Sequence, residues 1–197
     1  MDYKNKYKKY KQKYLYLKNN INQIGGKKDL HTKGKFMFND ATAVYTKYDK
    51  KYKKHDKGYV ILGPPGIGKT TFVRNQKGSK KDWIDQDDLF RDLGVKWHFN
   101  NNNENDFKLN YLRADYMSEQ TKLLGYRIIG ALFWEYKADA IVIIPEKLHK
   151  QYLSKRKDLK LNTVKEIIKY LRDHAKKNKI PIFDSILAAT NYLENLK

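Results

Sequence analysis

The sequence predicts an α/β fold, a parallel sheet of about five strands flanked by helices over residues 58–197 and preceded by a basic amphipathic helix. Three observations predict it. Short apolar, β-branched runs alternate along the chain with segments of helical period, which is the pattern of parallel strands joined by helical crossovers. The runs are apolar without alternation, as suits strands covered on both faces. The first run, Tyr59-Val60-Ile61-Leu62, leads straight into Gly63-Pro64-Pro65-Gly66-Ile67-Gly68-Lys69-Thr70, which meets G-x-x-x-x-G-K-[ST] at every required position, and Thr71-Phe72-Val73 opens a helix behind it.

The elements follow in order. Tyr3, Tyr7, Tyr10, Tyr14, Leu17, Ile21 and Ile24 recur at alternating spacings of four and three, a heptad stripe, with Lys4, Lys8, Lys11 and Lys18 off it. Residues 1–26 therefore read as a basic amphipathic helix that Gly25-Gly26 ends. Its stripe has to cover something: a second copy of the chain, the domain, a membrane surface or a polyanion. Residues 27–57 read as a linker approaching the first strand. After the glycine loop and its helix, Trp83-Ile84-Asp85 is a strand, and Leu89-Phe90-Arg91 is helical. Residues 106–124 have helical period, with Phe107, Tyr111, Ala114, Met117, Thr121 and Leu124 on one face. Tyr126–Gly130 is a third strand, because Gly125 breaks the helical pattern. Ala140–Ile144 reads as the central strand, stopped by Pro145. Thr163 with Glu166 forms a capping box for a helix whose core face is Val164, Ile167, Ile168, Leu171 and Ala175. Ile180–Phe183 is a last strand, and Ser185 caps a final helix with Ile186, Ala189, Leu193 and Leu196 inward.

Composition narrows the class. The chain has 197 residues, 40% of them hydrophobic, enough for a core, and its net charge is +20. Residues 1–57 hold 17 basic and 5 acidic side chains, net +12, so the extension carries most of the excess. Such an arm suits nucleic acid or another polyanion, an anionic membrane or an acidic partner; the other reading is lysine enrichment set by genome composition. The absence of cysteine excludes disulfides and thiolate metal sites. No apolar stretch approaches the ~20 residues that span a bilayer, and the Lys- and Tyr-rich start is unlike a secretory signal, so a soluble, intracellular protein without a transmembrane segment is expected.

The chemistry begins at the loop. Glycines at 63, 66 and 68 allow close backbone approach, so that Gly63 to Thr71, Pro64, Pro65 and Ile67 included, can cradle the phosphates of a nucleoside triphosphate. Lys69 then reaches the β/γ oxygens, and Thr70 offers its hydroxyl to Mg²⁺. After the second strand, Asp85, Asp87 and Asp88 place carboxylates beside the same crevice, because ligands bind at the carboxyl ends of parallel strands. The plainer alternative is that Asp87 or Asp88 caps the next helix. Trp83, Trp97 and Trp134 either stack on a base or pack in the core.

With these motifs the chain resembles the P-loop kinases of the nucleoside-monophosphate, shikimate and gluconate kinase type over about residues 58–197. The resemblance implies the P-loop NTPase three-layer fold and ATP with Mg²⁺ as cofactors. It implies that Asp85 helps to hold the metal with Thr70 and that Asp87 binds and activates the acceptor alongside Lys69; Asp88 is a spare for either role, and Arg91 is placed to grip an acidic acceptor. It also implies a lid at Glu146 to Arg156, in which Arg156 closes over the phosphates with Lys155 and Lys157 as rivals. A Walker B carboxylate is missing, because the third strand ends Ile129-Gly130-Ala131. The implied activity is transfer of the γ-phosphate of ATP to a small hydroxyl or phosphate acceptor. Two other readings share these residues. Polynucleotide 5′-kinases have a D-D-x-x-R stretch that Asp87-Asp88-Leu89-Phe90-Arg91 resembles, and a P-loop protein without catalysis would keep the loop alone. Residues 1–26 resemble the Lys-Tyr-rich N-terminal extensions of proteins from mimivirus-like giant DNA viruses. That resemblance implies the cytoplasm of an infected host cell or a virion as location, with Gly25-Gly26 as a cleavage site.

Overall fold

The computed structural model describes residues 42–93, 115–131, 136–155 and 161–196. The chain divides into two compact units, Met1–Ala43 and Val44–Lys197, and all that follows concerns the second. The heptad stripe of residues 1–26, Trp97, the asparagine run 100–103, Trp134, Arg156 and Lys157 lie outside the described residues.

Five parallel strands form one sheet in the order β2-β3-β1-β4-β5. They are β1 Tyr59–Leu62, β2 Trp83–Asp85, β3 Arg127–Gly130, β4 Ala140–Val142 and β5 Ile182–Phe183. The helices are α1 Thr42–Lys51, α2 Lys69–Arg74, α3 Gln86–Asp92, α4 115–123, α5 Glu146–Leu153, α6 Leu161–Asn178 and α7 Ile186–Glu194. The strand runs fall where the apolar pattern places them, with two differences. The β4 ladder stops at Val142, and β4 is second from the edge. The centre belongs to β1, which pairs with β3 from Tyr59↔Arg127 to Leu62↔Gly130 and with β4 through Ile61 and Leu62. Both strands are buried throughout, so apolarity alone could not rank them. One continuous core cluster joins Tyr59 and Ile61 of β1 to Val73 of α2, Trp83 of β2, Ile129 of β3, Val142 of β4 and Ala189 and Leu193 of α7. Among the described residues no helix is long and apolar enough to cross a membrane.

The compact unit reaches back into the segment expected to be a linker. Tyr45, Tyr48 and Tyr52 of α1 and its C-terminal flank are buried. Tyr45 stacks on Tyr126 at 6.2 Å, and Tyr48 meets Tyr126 and Tyr52 edge-on. Each phenol tip that enters this cluster has a polar partner, as a buried hydroxyl requires. Tyr48 donates to Asp92 Oδ2 at 2.8 Å, and Tyr126 donates to Asp49 Oδ1 at 2.6 Å. Burial and the Asp92 carboxylate raise the Tyr48 hydroxyl far above its ordinary pKa, so it stays protonated as a donor. Tyr52 forms a parallel bridge with Lys81, which adds two backbone hydrogen bonds beside the start of β2.

Three helix details depart from the pattern. Helix α6 starts at Leu161, so Thr163 sits inside its first turn and does not cap it with Glu166; neither Leu161 nor Asn162 breaks a helix, and the buried Val164, Leu171 and Ala175 keep the expected face. Leu196 lies beyond the end of α7, which Asn195 caps, and is exposed. Leu124 lies past α4 next to Gly125 and is also exposed, whereas Met117 and Thr121 are buried as expected. Ser185 does cap α7, accepting from Ala188 N at 3.2 Å.

Replacing Tyr48 with Ala removes a buried ring and one hydroxyl contact, a change that costs about 3–5 kcal/mol at core aromatic positions. Thermal unfolding followed by circular dichroism should then show a melting temperature lower by on the order of 10 °C. An unchanged melting temperature would mean that α1 is not part of the stable unit.

Candidate functional site

Because every strand is parallel, the loops that follow β1, β2, β3 and β4 meet at one end of the sheet. The loop after β1 continues the ladder for one residue, with Gly63 N donating to Gly130 O at 2.9 Å. It then turns through Pro64 and Pro65 and passes two residues of positive φ, Gly66 at 87° and Gly68 at 89°. At Gly68, the N-cap of α2, a Cβ would meet nothing within 4 Å, so glycine serves the left-handed backbone there and not a tight neighbour. At Gly66 a Cβ would press on Leu153 of α5 at 2.8 Å, so glycine is required for space as well. The loop curls around its own lysine: Lys69 Nζ donates to Gly63 O and to Pro64 O, both at 2.9 Å.

Thr70 and the end of β2 are joined directly. Thr70 Oγ1 donates to Asp85 Oδ2 at 2.8 Å, and Asp85 Oδ1 accepts from Asp87 N at 3.1 Å as the N-cap of α3. Asp85 is 3% exposed and is the cap. The alternative role expected for Asp87 or Asp88 is thereby taken, and the Asp87 carboxylate is free of capping. Asp87 keeps an exposed surface; partial loss of solvent and then the neighbouring Asp85 charge push its pKa above the ordinary 3.8, against a smaller lowering by the Lys69 ammonium. Lys69, Thr70, Asp85 and Asp87 are thus within one electrostatic neighbourhood. Asp88 and Arg91 pair with each other, Arg91 Nη2 to Asp88 Oδ1 at 2.6 Å, on the exposed side of α3. Lys155 is exposed beyond α5.

At the end of β3, where the sequence has no carboxylate, a glutamine fills the space. Gln86 is 2% exposed, accepts from Ala131 N at 3.2 Å and donates to Ser118 Oγ at 3.1 Å. A Cβ on Gly130 would collide with Gln86 Oε1. Neither Gln86 nor Ser118 was singled out by the sequence, since a glutamine between two aspartates reads as part of a polar turn. His149 of α5 is the other residue missed. Its Nε2 lies 2.8 Å from Pro65 O, and it is 3% exposed. The spacing of His149 and Leu153 was the available signal, because residues four apart share one helix face. Trp83 is buried in the core with the Arg127 guanidinium 5.8 Å from its ring, so it is not a stacking platform.

The donor set suits a hard divalent cation that keeps most of its shell from water and phosphate, since a hydroxyl and a carboxylate oxygen stand together at Thr70 and Asp85. Among the described residues no group of three or more His, Asp or Glu side chains forms an all-protein metal cage. No protein-family model matches this sequence, and no curated protein matches it, so the site stands on its own geometry.

The raised pKa of Asp87 has a stability consequence. Below its ordinary value the carboxyl is neutral in both folded and unfolded chains and costs nothing; as pH rises past that value the unfolded chain ionises first, and stability is lost until the folded carboxyl ionises at its higher pKa. Asp87→Asn should therefore raise the melting temperature at pH 7 and leave it near wild type at pH 3. A variant that melts lower at pH 7, or gains equally at both pH values, would contradict the assignment.

Proposed function

We propose that the chain is an ATP-dependent phosphotransferase of the P-loop kinase type that acts on a small hydroxyl or phosphate acceptor. The observation that carries this reading is the loop of residues 63–68 wrapped around Lys69, with Thr70 bonded to Asp85 at its edge, at the carboxyl end of the central strand of a parallel sheet. The five-stranded parallel sheet with its helices is compatible with the three-layer P-loop NTPase fold.

ATP with Mg²⁺ would supply the transferable γ-phosphoryl group and a Lewis acid on its oxygens. The residues divide the work as follows. Lys69 exchanges the Gly63 and Pro64 carbonyls for phosphate oxygens, a change of partner that needs little movement because the ammonium already faces the loop interior. Thr70 and Asp85 would hold the cation through their oxygens. Asp87 would accept a hydrogen bond from the acceptor hydroxyl and take its proton as the acceptor oxygen bonds to the γ-phosphorus and ADP leaves; its raised pKa makes it a better base than an ordinary carboxylate. Gln86 holds the end of β3 to β2 and α4, and so keeps Asp85 in register with the loop. Asp88 and Arg91, paired on the outside of α3, form a charged rim for the acceptor, and Arg156 remains the proposed lid cation.

A polynucleotide 5′-hydroxyl is the second acceptor class. The net charge of +20 favours it, with the basic arm of residues 1–26 as the binding surface for the polyanion. A panel of nucleosides, nucleotides, sugar acids and 5′-hydroxyl oligonucleotides with γ-labelled ATP separates the two classes. No heat of ATP binding in calorimetry with Mg²⁺ would instead make the chain a non-catalytic P-loop protein of a virion.

Lys69→Ala should lower phosphoryl transfer about a hundredfold or more, the scale on which a charge aimed at the transition state acts, without loss of the fold. Turnover equal to wild type would end the reading. Asp87→Asn should reduce transfer while ATP affinity is retained, measured by calorimetry beside single-turnover kinetics. Removal of residues 1–26 should leave ATP turnover intact and shift elution from heparin to lower salt. Unshifted elution, or lost turnover, would count against a separable polyanion-binding arm.

A further inference from the structure

The carbonyls of the loop form an incomplete set of their own. Pro64 and Pro65 have no N–H and fix φ, and the turn they make presents three consecutive carbonyls, those of Gly63, Pro64 and Pro65, that accept from side chains. Two of the three are taken by the Lys69 ammonium. The third, Pro65 O, lies 2.8 Å from His149 Nε2, and a carbonyl can only accept, so that nitrogen carries the hydrogen. One helical turn further along α5, Leu153 sits where a side chain on Gly66 would be, 2.8 Å from the position of its Cβ. Helix α5 therefore touches two consecutive loop residues, one through a hydrogen bond and one through an apolar contact, and both contacting side chains are buried. Its start at Pro145 follows directly from β4 and packs its base on the sheet, since Ile144 and the half-buried Leu148 belong to the core.

We infer that His149 is a positioning residue for the phosphate loop: it holds the Pro64-Pro65-Gly66 turn in the binding geometry when Lys69 leaves the Gly63 and Pro64 carbonyls for phosphate. This rests on the reading that the loop takes a nucleoside triphosphate. The Lys69 ammonium has three N–H groups and spends two of them on loop carbonyls, so a phosphate that draws on the same ammonium weakens those two bonds. The His149 bond comes from a different helix and uses no atom that meets phosphate. It is the anchor that persists, and its effect falls on nucleotide binding more than on the chemical step. A single neutral hydrogen bond of this kind contributes about 1 kcal/mol, which corresponds to roughly a fivefold change in an equilibrium.

Three variants isolate the bond from the bulk of the ring. Gln places an amide nitrogen near the reach of Nε2; Asn is polar but too short to reach Pro65 O; Leu fills the space without a donor. The full chain is measured in two ways. Hydrogen exchange of the amides of Gly66, Ile67 and Gly68 in the nucleotide-free protein should be about fivefold faster in H149L and H149N and near wild type in H149Q. The KM for ATP should rise by a similar factor in H149L and H149N, with kcat changed less, and recover in H149Q. Equal exchange and equal KM across the three variants would overturn the positioning role and leave His149 as a packing residue. A uniform loss in all three, the Gln variant included, would do the same. If the wild type does not bind ATP at all, the exchange measurement still decides on the loop contact, whereas the loss of the KM arm falls on the kinase reading.

Discussion

Strand β1 exchanges backbone hydrogen bonds with β3 along its whole length and with β4 over its second half, and all four of its side chains are buried. A strand paired on both sides and covered on both faces cannot slide or tilt without breaking ladders and opening the core. The loop that leaves its carboxyl end is therefore launched from a fixed point. Parallel pairing then brings the ends of β2, β3 and β4 to the same side. Strand β2 is two strand spacings from β1, about 10 Å, yet Asp85 bonds to Thr70. Glycine at the end of β3 leaves the space there to Gln86, which ties the ends of β2 and β3 to α4.

The electrostatics of the site follow from this convergence. One ammonium and two carboxylates come from three different segments, and their treatment differs. Asp85 spends its oxygens on Thr70 and on a backbone amide. Asp87 has no such donors among the described hydrogen bonds and stands next to Asp85, and its pKa rises. Two carboxylates two residues apart thus have different surroundings, one bonded to a hydroxyl and an amide and one without such donors among the described hydrogen bonds.

The tyrosines of α1 close the opposite end of the sheet by another principle. Their rings add apolar area beneath the strands while their hydroxyls find Thr121 and Asp92, and Tyr126 finds Asp49 in return. Thr121 donates its own hydroxyl hydrogen to Met117 O at 2.7 Å, so Tyr45 is the donor in their contact. A Lys- and Tyr-rich segment thereby becomes part of the core, because the phenol buries its ring and keeps its polar tip satisfied.

Much of this was legible in the residues themselves. The glycine loop carries its own signal, since the required glycines, lysine and threonine are contiguous and their roles depend on local backbone geometry. Strands β1 and β4 were legible because strands buried on both faces are apolar without interruption, whereas the exposed Ile182 of the edge strand β5 left only a short apolar run between turn signals. The carboxylates after β2 were legible as a group, and the missing carboxylate on β3 was visible directly. What the tertiary structure alone decided were matters of pairing between distant segments. Strand order put β1 and not β4 at the centre, as equal burial gives equal apolarity. Asp85 became the helix cap, which released Asp87, through backbone angles at a strand end that residue type does not set. The tyrosines at 45, 48 and 52 entered the core because Tyr126 and Lys81 come to meet them from more than twenty-five residues away. Gln86 and His149 acquired their roles from Ala131, Ser118 and Pro65, and a side chain whose partner is a distant backbone or hydroxyl oxygen has no pattern in its own neighbourhood to announce it.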